Sequence, residues 1–217
     1  MSTAPLFRAP DVRLLFVTRA VRLFAYGFLA LILWLYLAEL GLSAARIGLL
    51  LSMTLVGDVA VSLWITTTAD RIGRKWMLIA GAVLMALAGA AFLSTDDFIL
   101  LLIAATVGVI SPSGNEVGPF LAIEQAALAQ EVTAQQRTHV FAWYSLTGSL
   151  ATAFGSLLCG LIVQGLHDYA GISNLQSYRL VLWVYAGVGV ILAALFIRLS
   201  PAAEATASPP VVGARLP

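Results

Sequence analysis

The chain has 217 residues, 60% of them hydrophobic and only 11% charged, with a formal net charge of +1. Charged residues make up about a quarter of an ordinary soluble domain, so this composition excludes a soluble fold and places the chain in a membrane. Cys159 stands alone in an apolar run and the two histidines, His139 and His167, fall at opposite ends of one predicted helix, which argues against a disulfide framework, thiol chemistry or a zinc site.

A membrane helix needs about 20 apolar residues. On that window the sequence predicts spans over roughly 15–38, 46–68, 76–94, 98–127, 139–164 and 178–199, an all-α polytopic membrane protein of six transmembrane helices. The first run is too long for a secretory signal and lacks its cleavage site, so it reads as a retained helix. On one of its faces, low in the cytoplasmic half, lie Arg19, Arg22 and Tyr26. These cations could neutralise Glu116 or bind an anionic substrate, but snorkelling of their heads to the inner surface is the preferred reading.

Ser43 is the expected N-cap of the second span, within which Thr54, Asp58, Ser62 and Thr66 recur at four-residue steps and should look inward. Between the second and third spans runs a short charged connector, Ala69-Asp70-Arg71-Ile72-Gly73-Arg74-Lys75, which can join only adjacent antiparallel helices. Gly73 allows the tight reversal. In the fourth span Pro112, Asn115, Glu116 and Pro119 share a polar face, while Gly108, Gly114 and Gly118 weaken or kink the helix. A carboxyl in low dielectric has a raised affinity for protons. Glu116 is therefore the first candidate for proton coupling or cation binding, with Asn115 beside it and Asp58 as the second candidate.

The fifth span carries a polar stripe, Ser145, Ser149, Thr152 and Ser156, and packing glycines at Gly148, Gly155 and Gly160. Trp34, Tyr36, Trp76, Tyr178 and Trp183 lie near span ends, as interfacial anchors do. After residue 199 the small, proline-bearing stretch 200–217 reads as a flexible cytoplasmic tail on the 1–199 bundle.

Lys and Arg are retained on the cytoplasmic side. With the N-terminus inside, ten basic residues lie at or near the inner surface and only Arg46 and Arg179 lie outside, so both termini are expected to be cytoplasmic.

The string Asp70-Arg71-Ile72-Gly73-Arg74-Lys75 resembles the signature loop between the second and third helices of the major facilitator superfamily, Gly-x-x-x-Asp-Arg/Lys-x-Gly-Arg/Lys-Arg/Lys. Thr66 stands where that pattern begins with glycine. Gly41-Leu42-Ser43 with Ile47-Gly48-Leu49-Leu50 looks like the family's link from first to second helix, and Pro119, Glu124 and Arg137 fall at family-like positions around the link from fourth to fifth. The resemblance implies the N-terminal six-helix half of an alternating-access carrier, with Asp70, Arg71, Gly73 and Arg74 latching one conformation against the other half. The Gly-Pro pair typical of drug/proton antiporters is missing, since Ser156 follows Gly155.

Carriers of this type have two six-helix halves with substrate between them. Three readings of the length are open: a truncated product, which is preferred, a half-carrier completed by a second polypeptide, or a homodimer. The expected function is secondary active transport of a small solute in a bacterial-type plasma membrane, without cofactor, metal or nucleic acid. The alternative is a membrane scaffold or inert remnant that transports nothing. No paired catalytic carboxylates, His-Glu-x-x-His string or serine nucleophile elbow suggests an enzyme.

Overall fold

A computed structural model describes residues 10–114 and 120–200, the Asp70 side chain excepted. Among the described residues the elements are all helices: α1 (Pro10–Glu39), α2 (Ala44–Ile72), α3 (Arg74–Ser94), α4 (Phe98–Val107), α5 (Phe120–Glu131), α6 (Ala134–Ala170) and α7 (Asn174–Ile197). Five of them, α1, α2, α3, α6 and α7, are long and apolar enough to cross a membrane. They correspond to every predicted span except the fourth.

Helix starts follow ordinary capping. Ser43 accepts the Arg46 N–H at 3.4 Å to begin α2. Asp97 accepts the N–H groups of Ile99 and Leu100 at 2.9 and 3.0 Å to begin α4. α6 runs well past its expected ends at both sides. Its 37 residues span about 56 Å, more than a bilayer core of about 30 Å, so its ends project beyond the hydrocarbon.

The fourth span is not one helix. α4 stops at Val107, and α5 begins at Phe120. Pro112 has no N–H to return to the Gly108 carbonyl, its ring would strike that carbonyl, and it pushes Ser111 out of the helical region. Gly114 then takes φ +69, which a side chain would disfavour. The carbonyls freed by the break are not left bare. Tyr185 of α7 donates to the Val109 carbonyl at 2.5 Å, and Thr152 of α6 lies 3.3 Å from the Gly114 carbonyl. Side chains of neighbouring helices thus supply the hydrogen bonds that a broken membrane helix loses.

Packing follows a two-fold pattern that exchanges α1, α2 and α3 with α4, α6 and α7. α1 lies on α6 and α7, α4 lies on α2 and α3, and α3 meets α7 across the axis. The close approaches repeat the pattern. A Cβ on Gly155 would collide with the Phe24 carbonyl across α6 and α1, and one on Gly57 would collide with the Thr106 carbonyl across α2 and α4. Backbone-on-backbone contact of this kind is what draws helices together where lipid offers no hydrophobic drive.

The outer surface is apolar, as a bilayer requires. Val59 and Leu63 of α2, Phe154 and Leu161 of α6 and Trp183 and Val190 of α7 are all largely exposed.

Candidate functional site

Three groupings of polar residues converge inside or at one end of the bundle. The first is a buried node. Arg22 of α1 and Glu124 of α5 are both 0% exposed and form a two-pronged ion pair, with nitrogen to oxygen distances of 2.6 and 2.7 Å. Tyr144 of α6 donates its hydroxyl to the second Glu124 oxygen at 2.5 Å. The Phe120 ring lies 4.3 Å beneath the Arg22 guanidinium and stacks on Phe196 of α7 at 6.0 Å. Two charges in low dielectric persist only when paired in good geometry with their remaining lone pairs satisfied. This arrangement meets that condition and ties α1, α5, α6 and α7 to one point.

The second grouping is a cleft of about 410 Å³ where α1, α6 and the break in the fourth span meet. Arg19, Leu23, Gly114, Ser145, Ser149, Thr152 and Ala153 line it. Arg19 is 5% exposed and lays its guanidinium 4.2 Å from the centre of the Tyr144 ring. Gly148 makes room for it, since a Cβ there would come within 2.8 Å of Arg19 Nε. Ser145 and Ser149, one turn apart, stand on the exposed face of α6.

The third grouping is the connector. The helices run through most of it and leave Gly73 as the only non-helical residue between α2 and α3. Its φ of 112° makes the reversal, while its N–H closes α2 on the Ala69 carbonyl and its carbonyl starts α3. Lys75 reaches the Leu199 carbonyl past the end of α7 at 2.9 Å, and Ser200 bonds to Asp11 at the start of α1. These contacts gather the start of α1, the connector and the end of α7 at one end of the bundle. Arg179 pairs with Asp96 at 3.3 Å at the opposite end, near where Arg46 lies over Phe98.

The predicted site residues divide accordingly. Arg22 is correctly singled out, but its predicted snorkelling and that of Arg19 are overturned. Both heads are buried, because Glu124 and the Tyr144 ring meet them inside the bundle. Asp58 is half-buried in α2 and accepts from Ser62 at 3.5 Å, away from the Arg22 node. Asn115 and Glu116 lie outside the described residues. Arg71 is exposed, and Arg74 and Lys75 are half-buried. Two of the expected interfacial aromatics face inward instead: Tyr36 donates to the Phe92 carbonyl at 2.6 Å, and Tyr178 is 6% exposed.

Sequence reasoning missed Glu124 and Tyr144 as the centre of the node. The signal existed, since Glu124 is a carboxylate inside the predicted fourth span, the same warrant that singled out Glu116.

A bundle of membrane-crossing helices with one helix broken in mid-span, a buried charge node and a polar cleft at the break defines the class of polytopic membrane transport proteins. The model of the Major Facilitator Superfamily matches residues 15–216, and the chain belongs to that superfamily. It is also 37% identical over 195 residues to an uncharacterized membrane protein of the yeast Saccharomyces cerevisiae, an alignment that covers 89% of this chain and 44% of the yeast protein. The chain therefore spans less than half the length of that relative. Family membership and apolar helices make it an integral membrane protein of a transporter family.

Proposed function

We propose that the chain supplies six spans of a secondary active carrier that moves a small solute by alternating access, α4 and α5 together making the fourth. The reading places both termini in the cytoplasm, the Asp70 to Lys75 connector as a gate at that surface, and a second six-helix bundle, on another stretch of polypeptide or a second copy, across the cleft. The observation that carries it is the polar cleft against the broken span. Discontinuous helices mark solute sites in carriers because their exposed backbone groups can bind what passes. That the yeast relative extends over more than twice the matched length supports a second bundle. In this reading Glu116, Asn115 and Asp58 serve proton or substrate coupling, and the Arg22–Glu124 pair holds the bundle around them.

The test is exchange across a membrane. Proteoliposomes holding the folded chain, loaded with a panel of labelled metabolites, are expected to exchange at least one of them faster than protein-free liposomes. No exchange by protein shown to be folded and inserted would leave the scaffold reading in place. Uptake driven by a pH gradient is expected to collapse in Glu116→Gln, and unchanged uptake would remove Glu116 from coupling.

A further inference from the structure

The cleft beside Gly114 holds one charged side chain among its lining residues, and that charge is positive. Arg19 is 5% exposed, so its guanidinium has been taken out of bulk solvent and its direction is fixed by what surrounds it. It lies flat over the Tyr144 ring at 4.2 Å, and the missing side chain of Gly148 gives it passage across α6. Arg22, three residues on, faces the other way, into Glu124, whose two oxygens are taken by Arg22 and by the Tyr144 hydroxyl. Tyr144 thus separates two arginines with different tasks: its hydroxyl serves the Arg22 pair and its ring face supports Arg19.

Around Arg19 the cleft offers hydroxyl groups. Ser145 and Ser149 flank Gly148 on the same helix and line the cleft with Arg19, while Thr152 closes it further along, lying 3.3 Å from both the Leu23 and Gly114 carbonyls. From residue 145 to residue 152 the helix rises about 10 Å, so the polar lining is as long as a small metabolite. The volume of about 410 Å³ falls within the range of small-molecule sites. A planar guanidinium forks onto two oxygens of a carboxylate or a phosphate, and hydroxyls bond either those oxygens or the hydroxyls of a ligand.

We propose that this cleft binds a small hydroxylated organic anion, with Arg19, flanked by Ser145 and Ser149, receiving its carboxylate or phosphate head and the ligand body extending along α6 toward Thr152 and Gly114. The proposal rests on the carrier reading for its consequence, transport, but not for its binding chemistry. It names the substrate class that reading leaves open.

The experiment uses the purified chain in nanodiscs of zwitterionic lipid, with gluconate and glycerol 3-phosphate as anionic probes, glycerol as the neutral control and choline as the cationic one. Binding is read by calorimetry and by the shift in thermal midpoint. At least one anion is expected to bind, and both controls are expected not to. Losing a charge-assisted contact should weaken binding by roughly 10- to 100-fold in Arg19→Gln, with partial retention in Arg19→Lys. Gly148→Ala, which displaces the guanidinium, should weaken it as well. Ser149→Leu, at an exposed position, should block the cleft while leaving the fold and the Arg19 support intact, and it decides the matter if Arg19→Gln fails to fold.

Absence of binding by either anion, equal binding by choline, or unchanged affinity in Arg19→Gln and Ser149→Leu each overturns the proposal. A response to anionic lipid added to the nanodiscs, with none to the soluble anions, makes the cleft a headgroup site and overturns it too. Binding that depends on Arg19 without any exchange of the bound anion would sink the carrier reading and leave this site standing. Exchange of a solute indifferent to Arg19 would do the reverse.

Discussion

Glu124 is the residue on which the interior depends most. Its carboxylate receives two bonds from Arg22 and one from Tyr144, with both charged partners fully buried. Breaking a buried pair by removing one partner strands the other charge and costs roughly 3–5 kcal/mol, whereas replacing both by apolar groups of similar size is often neutral. Glu124→Gln and Arg22→Gln are therefore each expected to lower the thermal midpoint in detergent strongly, and the double variant Arg22→Met with Glu124→Leu to recover most of the loss. Tyr144→Phe removes one hydrogen bond to a charged group, about 1.5–3 kcal/mol, and should fall between wild type and Glu124→Gln. A double variant as unstable as the singles would show that the pair is not the unit that matters. The sequence pointed to Arg22 but paired its face with Glu116. Spacing along one helix gives the face of a cation, and says nothing about which carboxylate of another helix will meet it.

Helix contacts are set by glycines whose importance depends on what lies opposite. Gly155 faces the Phe24 carbonyl so closely that α1 and α6 must separate if a methyl is added, and backbone cannot yield as a side chain tip can. Gly165, on the same helix, has nothing within 4 Å. Gly155→Ala is accordingly expected to reduce the thermal midpoint and the yield of folded protein, while Gly165→Ala should be neutral or stabilising by up to about 1 kcal/mol through helix propensity. Equal effects from the two would refute the close-packing account.

At this scale the sequence was read well where composition changes sharply. Ser43 and the Asp97 region announced helix starts, and five apolar runs became five long helices. It was read poorly where hydropathy stays high through a break. Residues 98–127 are apolar enough to pass for one span, and Pro112 with Gly114 looked like a kink. The difference lies in tertiary partners: Tyr185 and Thr152 supply bonds to the interrupted backbone, and neither could be assigned to it from the local sequence.

The whole molecule has two ends of different chemistry. Asp11, Lys75, Leu199 and Ser200 meet at one end, and Arg71, Arg74 and Arg137 belong to connectors at that same end. The other end holds Arg46 and Arg179, the latter balanced by Asp96. Basic residues in short connectors stay on the cytoplasmic side, so the basic end is expected to face the cytoplasm. Single cysteines read this directly, because Cys159 is fully buried and will not compete for reagent. In intact cells a membrane-impermeant maleimide should label Asp96→Cys at once and Arg137→Cys only after permeabilisation, both positions being exposed. Replacing Arg71, Arg74 and Lys75 together by Gln weakens the charge bias, so some molecules should then insert inverted and label Arg137→Cys from outside. Labelling of Arg137→Cys in intact cells without those replacements would put the basic end, and with it the Asp70 to Lys75 connector, on the outer face, where a cytoplasmic gate is impossible.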